Sequence, residues 1–349
     1  MSIKTTFITG RGAQINPVSR FEQYRQDEVE GSGVATKYFN VNAKTIVNKV
    51  DSPDIPLPYS LNPYQGCEHG CVYCYARNTH PYWGFSAGTE FEQNILIKHE
   101  APSLLRKFLS NRKYHCQPIM ISGNTDCYQP AEQEFKLTRQ LLEICLEYNQ
   151  PVGIITKNSL VIRDLDILIE LNKKNLVHVV ISLTSLDEKL RLLLEPRTAT
   201  ISKRLNAIFE LSRHEIPVMV MMAPVIPALT DTEIFDMVKA CKDAGAYDVH
   251  YTILRLNGDV EPIFIDWAKK TFPDRADKII NLTAECHGGT VQDNRFQKRM
   301  KGECKYAELI RNQFQLARKK YGMPAKEYGS LDCTSFRQPG SQMVFDFDS

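Results

Sequence analysis

The chain has no apolar run long enough to cross a bilayer. Its longest strongly apolar stretch, residues 217–226, falls far short of the roughly 20 residues a span requires. The first twenty residues hold no apolar segment of the kind that opens a secretory signal. Both absences predict a cytoplasmic protein with no membrane partner. No charge of one sign dominates either: 43 Lys and Arg stand against 41 Asp and Glu, a net +2 that names no partner class. A single Cys-x-x-Cys spacing occurs, Cys71 to Cys74, so the second pair that a zinc site ordinarily brings is missing. What remains is an ordinary globular composition, 43% hydrophobic and 24% charged, over 349 residues. That length buries one substantial core, or two small ones.

Ten cysteines are present, and without a secretory signal they read as thiols and metal ligands rather than disulfides. Three of them, Cys67, Cys71 and Cys74, fall within eight residues as Cys-x-x-x-Cys-x-x-Cys. Soft thiolates are what iron–sulfur clusters require, and a cubane cluster normally takes four. A local set of three leaves one iron open to a small molecule, much as a catalytic zinc keeps an open position. The competing reading is a Cys3His zinc site completed by His69 or His80. Cys145 and Cys241 sit in helix-like segments and read as packing residues. The spacing of Cys286, Cys304 and Cys333 does not pair them for a second cluster.

Six short apolar runs alternate with helical periodicity: residues 59–66, 118–122, 151–156, 176–183, 217–223 and 248–254. Helices are expected at 101–111, 131–147, 163–171, 187–194, 202–213 and 231–244. Apolar runs of this kind, each followed by a helix, are the pattern of parallel strands buried on both faces. The fold class predicted is α/β, a partial (β/α)6 barrel. An N-terminal arm (1–58) with short strands around 37–50 precedes it. A mostly helical extension and tail (258–349) follows it, with helices at 263–271, 275–285 and 303–321 and a loose end at 338–349. The cysteine loop then stands just after the first strand, where such barrels place their chemistry. Arg295, Lys298, Arg299, Lys301 and Lys305 crowd one stretch, with Arg311, Arg318, Lys319 and Lys320 beyond. They form either an electrostatic footprint for nucleic acid or a solvated helix face.

The cysteine spacing, with Tyr73 before its last member and six βα units around it, resembles the radical S-adenosylmethionine (radical SAM) superfamily. That resemblance implies a [4Fe–4S] cluster on Cys67, Cys71 and Cys74, and S-adenosylmethionine (SAM) bound to its open iron. Reductive cleavage to a 5′-deoxyadenosyl radical follows from it, as does a low-potential electron donor such as flavodoxin or ferredoxin. It further implies that Tyr73 contacts adenine, and that Asn124, Thr125, Asp126, Lys157 and Ser182, at strand ends, help place SAM. Lys157 and Ser182, Glu195-Pro-Arg-Thr198 with Arg204, and Ala223-Pro-Val225 narrow the resemblance to relatives of spore photoproduct lyase, across about residues 60–255. The lyase's hydrogen-donating cysteine corresponds to Gly123 here. Cys127 is the substitute donor to consider, beside Tyr128, with a buried structural thiol as its other reading. The substrate class expected is a nucleic acid or nucleotide. A peptide or small metabolite, or a non-enzymatic zinc- or nucleic-acid-binding role, are the alternatives.

Overall fold

The computed structural model describes residues 8, 10–17, 35–55, 57–323 and 330–338. Ten strands are found among them. They are β1 (Lys37–Asn40), β2 (Val47–Lys49), β3 (Tyr59–Leu61), β4 (Tyr64–Gln65), β5 (Asn94–Ile97), β6 (Ile119–Ile121), β7 (Val152–Thr156), β8 (Val177–Ser182), β9 (Val218–Val225) and β10 (Asp248–Ile253). The main sheet runs in the order β10-β9-β8-β7-β6-β3-β2. Its six strands from β3 to β10 are parallel, and β2 joins one edge antiparallel. These are the six apolar runs of the sequence, in chain order. Their side chains are covered on both faces: Val179, Ile181, Val220 and Met222 are fully buried in the main core. Truncating any one of them to alanine costs roughly 2–5 kcal/mol for a large aliphatic side chain in such a core.

Local sequence sets where the crossover helices begin. The Asp187 carboxylate accepts the Lys189 amide at 2.8 Å, opening the helix Glu188–Leu194. Thr200 caps the helix Ile201–Arg213 in the same way. Two expectations are corrected. The run 59–66 is not one strand: it breaks at Pro63, which has no amide to donate. β3 then pairs with β6, while β4 turns into a second sheet, β1-β5-β4. The helix expected at 131–147 is two helices, Ala131–Phe135 and Leu137–Tyr148, divided by Lys136 at φ 50°. The buried Glu132 carboxylate causes the break by accepting the Thr138 amide at 2.9 Å at the start of the second helix.

The sheet does not close on itself. β10 is its far edge, and the gap to the β2–β3 side is bridged by a strap from the C-terminal extension. On one side the Ile253 amide donates to the Met300 carbonyl at 2.9 Å and Lys301 Nζ to the Tyr251 carbonyl at 2.8 Å. On the other, Asp54 accepts the Gln297 amide at 2.7 Å and Arg299 Nε at 2.6 Å. The extension is otherwise helical, with Val260–Thr271, Ala276–Cys286 and Lys305–Lys320. Of the loose end expected at 338–349, only Gln338 lies within the described residues, where its amide donates to the Leu109 carbonyl at 3.0 Å. Among the described residues no helix is long and apolar enough to cross a membrane.

Candidate active site

The cysteine loop leaves β4 at Gly66 and ends at the 3-10 segment Tyr75–Trp83, on the side of the sheet where the parallel strands finish. Cys67 and Cys71 are only 7% and 6% exposed, Cys74 is more open, and none is in a disulfide. The Cys67 amide donates to the Phe91 carbonyl at 2.9 Å, which ties the loop to the short helix Thr89–Gln93. Burial raises all three thiols, and around Cys67 the charges of Asp126, Cys71 and Cys74 add to the effect.

Two buried charge networks fix this loop. In the first, the fully buried Arg77 donates Nε and Nη2 to the Cys71 carbonyl at 3.0 and 2.9 Å. It also donates Nη1 to the Gly88 carbonyl at 2.9 Å and Nη2 to Glu92 at 2.6 Å. Glu92 in turn accepts the amides of Gly12 and Ala13 at 3.1 and 2.7 Å, which lays the N-terminal arm across the cysteine loop. A Cβ on Gly12 would stand 1.6 Å from the Gly70 carbonyl oxygen, an approach that only glycine permits. Replacing Arg77 by lysine keeps the charge and loses the planar fork. Arg77→Lys is therefore expected to lower stability by about 1.5–3 kcal/mol, read from the denaturant midpoint. A midpoint equal to wild type would show that the fork does not brace the loop.

The second network centres on Glu195, which is 1% exposed. Its carboxylate takes Arg204 Nη2 at 2.6 Å, Lys157 Nζ at 3.2 Å, the Thr184 hydroxyl at 2.7 Å and the Tyr73 hydroxyl. Burial works to raise this carboxyl, and Arg204 with Lys157 more than reverses it, so it lies well below the usual carboxylate range. The turn that carries Glu195 is stitched to the cysteine loop: the Val72 amide donates to the Leu194 carbonyl at 3.1 Å, and the Arg197 amide to that of His69 at 3.2 Å.

Residues 61–241 of this chain match the family model of the radical SAM superfamily. The chain belongs to the radical SAM superfamily. An uncharacterised protein of Mycobacterium tuberculosis is 32% identical over 248 residues, 70% of this chain and 73% of its own. One of Methanocaldococcus jannaschii is 26% identical over 244 residues, 70% of this chain and 87% of its own. Among solved structures, spore photoproduct lyase complexed with dinucleoside spore photoproduct matches with a TM-score of 0.54 at 14% identity, covering 81% of this chain and 79% of that one. A mutant of that lyase with bound AdoMet and the same dinucleoside matches over 84% and 85%, again at 0.54 and 14%. At that identity the likeness concerns the fold.

A radical SAM enzyme implies a [4Fe–4S] cluster and SAM, and the donor set here fits the cluster. Among the described residues no three of His, Cys, Asp and Glu converge to hold one metal ion, as a zinc site would need. A cubane makes no such demand, since each thiolate takes its own iron. The two histidines of the zinc reading differ: His69 is paired, and both ring nitrogens of His80 are buried without a hydrogen-bond partner. His69 faces Asp126 at 3.3 Å and Asn158 at 3.4 Å. His80 is buried, stacked on Phe85 and edge-on to Phe91.

The residues expected to hold SAM are gathered at the ends of β6, β7 and β8, but several already have partners. Asp126 accepts the Thr156 hydroxyl and the Lys157 amide, each at 2.7 Å, so it braces β7 against the cysteine loop through His69. The Thr125 hydroxyl donates to the Tyr64 carbonyl at 2.7 Å. The Asn124 amide donates to Asn62 Oδ1 at 2.8 Å. Lys157 lies 5.5 Å from the centre of the Tyr73 ring and pairs with Glu195. The Tyr73 hydroxyl is held by Glu195 and lies 3.1 Å from that of Thr184. The Ser182 hydroxyl takes no partner among the described residues.

Of the two readings of Cys127, its position matches the buried structural thiol. Cys127 is fully buried in the main core, its amide donating to Ser122 Oγ at 2.8 Å. Tyr128 is equally buried, its hydroxyl 3.1 Å from Asp164. Arg77, Glu92 and the role of Glu195 escaped sequence reasoning. A charged pair far apart in sequence carries no local signature.

Proposed function

We propose that Cys67, Cys71 and Cys74 hold a [4Fe–4S] cluster whose open iron binds SAM, and that the protein cleaves SAM reductively to a 5′-deoxyadenosyl radical. The bound cluster would supply one electron to the sulfonium. The observation that carries this reading is three unbridged thiols, two buried and one half-buried, at one end of a parallel six-stranded sheet in a radical SAM chain. The protein's own part is to hold the loop rigid through Arg77 and Glu195, to keep water from the thiols, and to present Lys157 and Ser182 at the strand ends. An external low-potential donor such as flavodoxin or ferredoxin would reduce it.

The substrate proposed is a nucleic acid or nucleotide. The dinucleoside in the lyase structures supports testing that class first. Reversal of a thymine photoproduct is not proposed, because Gly123 stands where the lyase carries its donor cysteine and Cys127 is buried. A peptide or small-metabolite substrate is the second reading. Expected on anaerobic reconstitution with iron and sulfide, followed by dithionite and SAM, is release of 5′-deoxyadenosine. Its absence from a preparation carrying intact cluster would overturn the proposal.

A further inference from the structure

Part of the basic stretch of the C-terminal extension is neutralised by carboxylates. Arg295 pairs with Asp293 at 2.9 Å, Lys298 with Glu303 at 2.7 Å, Arg299 with Asp54 at 2.6 Å and Arg318 with Asp248 at 2.7 Å. Of the cations in this stretch with no ion pair among the described residues, Lys301 and Arg311 line one cavity of about 200 Å³ between β10 and the helix Lys305–Lys320. Lys301 reaches it from the strap, and its ammonium donates to the Tyr251 carbonyl and sits 3.7 Å from the centre of that ring, with no carboxylate paired to it. Arg311 reaches it from the helix and has no ion pair among the described residues.

Arg311, Gln315 and Arg318 share one helix face, since residues four and three apart are neighbours there. His250 lines the opposite wall and shares Asp248 with Arg318, at 3.2 Å. Asp248 thus serves both His250 and Arg318, and neither Lys301 nor Arg311 has a carboxylate among the described residues. Tyr251 and Phe314 stack at 4.2 Å to make the apolar part of the wall. The Tyr251 hydroxyl is buried without a hydrogen-bond partner, with Arg311 beside it. Burial together with the charges of Arg318 and Arg311 brings the Lys301 ammonium down to about 8, as expected where like charges are held together.

We infer that this cavity is a binding site for a phosphate group, received by Lys301, Arg311 and Arg318 and hydrogen-bonded by the Tyr251 hydroxyl. An anion there answers Lys301 and Arg311 and satisfies the orphaned hydroxyl. The cavity lies along the middle of β10, away from the strand ends that carry the cysteine loop, so the inference stands independently of the proposed SAM chemistry. The phosphate can belong to a polynucleotide backbone or be free in solution.

The test is calorimetric titration of the full chain with inorganic phosphate at constant ionic strength, alongside a short single-stranded oligonucleotide. Arg311→Gln, at an exposed helix position, is expected to weaken phosphate binding about tenfold. Gln315→Glu, which puts a negative charge into the cavity, should abolish it. Lys305→Gln changes net charge equally at a position that does not line the cavity, and should leave binding unchanged. If phosphate displaces the oligonucleotide, the occupant is a polynucleotide backbone. If phosphate binds and the oligonucleotide ignores both it and Arg311→Gln, the occupant is free phosphate. Absence of binding at millimolar phosphate, or equal binding by wild type, Arg311→Gln and Gln315→Glu, would overturn the inference.

Discussion

A chain carrying Cys71→Ala is expected to fold and to hold almost no iron. Wild type reconstituted under anaerobic conditions should contain about four iron and four sulfide per chain, the stoichiometry of a cubane cluster. Removing one of three ligands leaves two thiolates, too few to retain it against chelators. Cys71 packs beside Val72 and Tyr73 in a small apolar cluster, so trimming its sulfur costs only the modest amount typical of a point change, roughly 0.5–3 kcal/mol. Circular dichroism should therefore match wild type while the iron content and the 5′-deoxyadenosine yield collapse together. If the variant keeps its iron, or if wild type carries a single tightly held zinc, the ligand assignment fails.

The second large effect is thermodynamic. Glu195→Ala strands the fully buried Arg204 and also deprives Lys157, Thr184 and Tyr73 of their common acceptor. Breaking a buried ion pair from one side costs about 3–5 kcal/mol, because the remaining charge has no water to turn to. For a chain of this size that predicts a fall in melting temperature on the order of 10 °C. Pairing it with Arg204→Met removes the stranded charge, so the double variant should recover part of the loss. Additive losses in the double variant would show that the two charges do not depend on one another.

How much of this was visible in the sequence depended on where the partners lie. The six parallel strands could be read because strands buried on both faces appear as unbroken apolar runs, such as Val177–Ser182. The strand Asn94–Ile97 was missed: it follows a helix directly, with no turn residue to announce it. The break at Lys136 was invisible because apolar spacing continues across it, and its cause is the Glu132 carboxylate rather than any local signal. The cysteines were legible as candidate ligands since their spacing is local. The acceptor for Tyr73 is 122 residues away, and the carboxylates that neutralise Arg299 and Arg318 are 245 and 70 residues away, so a basic run looked barer than it is.

The strap across the gap in the sheet also has a meaning for how the chain is made. Asp54 and Gln297 are separated by 243 residues. A ribosome adding roughly 5–20 residues each second leaves the first of them waiting on the order of ten to fifty seconds for the second. In that interval all six parallel strands have been synthesised, and the cysteine loop with them, while the seam still stands open. Joining it must wait until every strand of the sheet has been made, so folding of the cysteine loop and sealing of the seam are separable events in the life of each molecule.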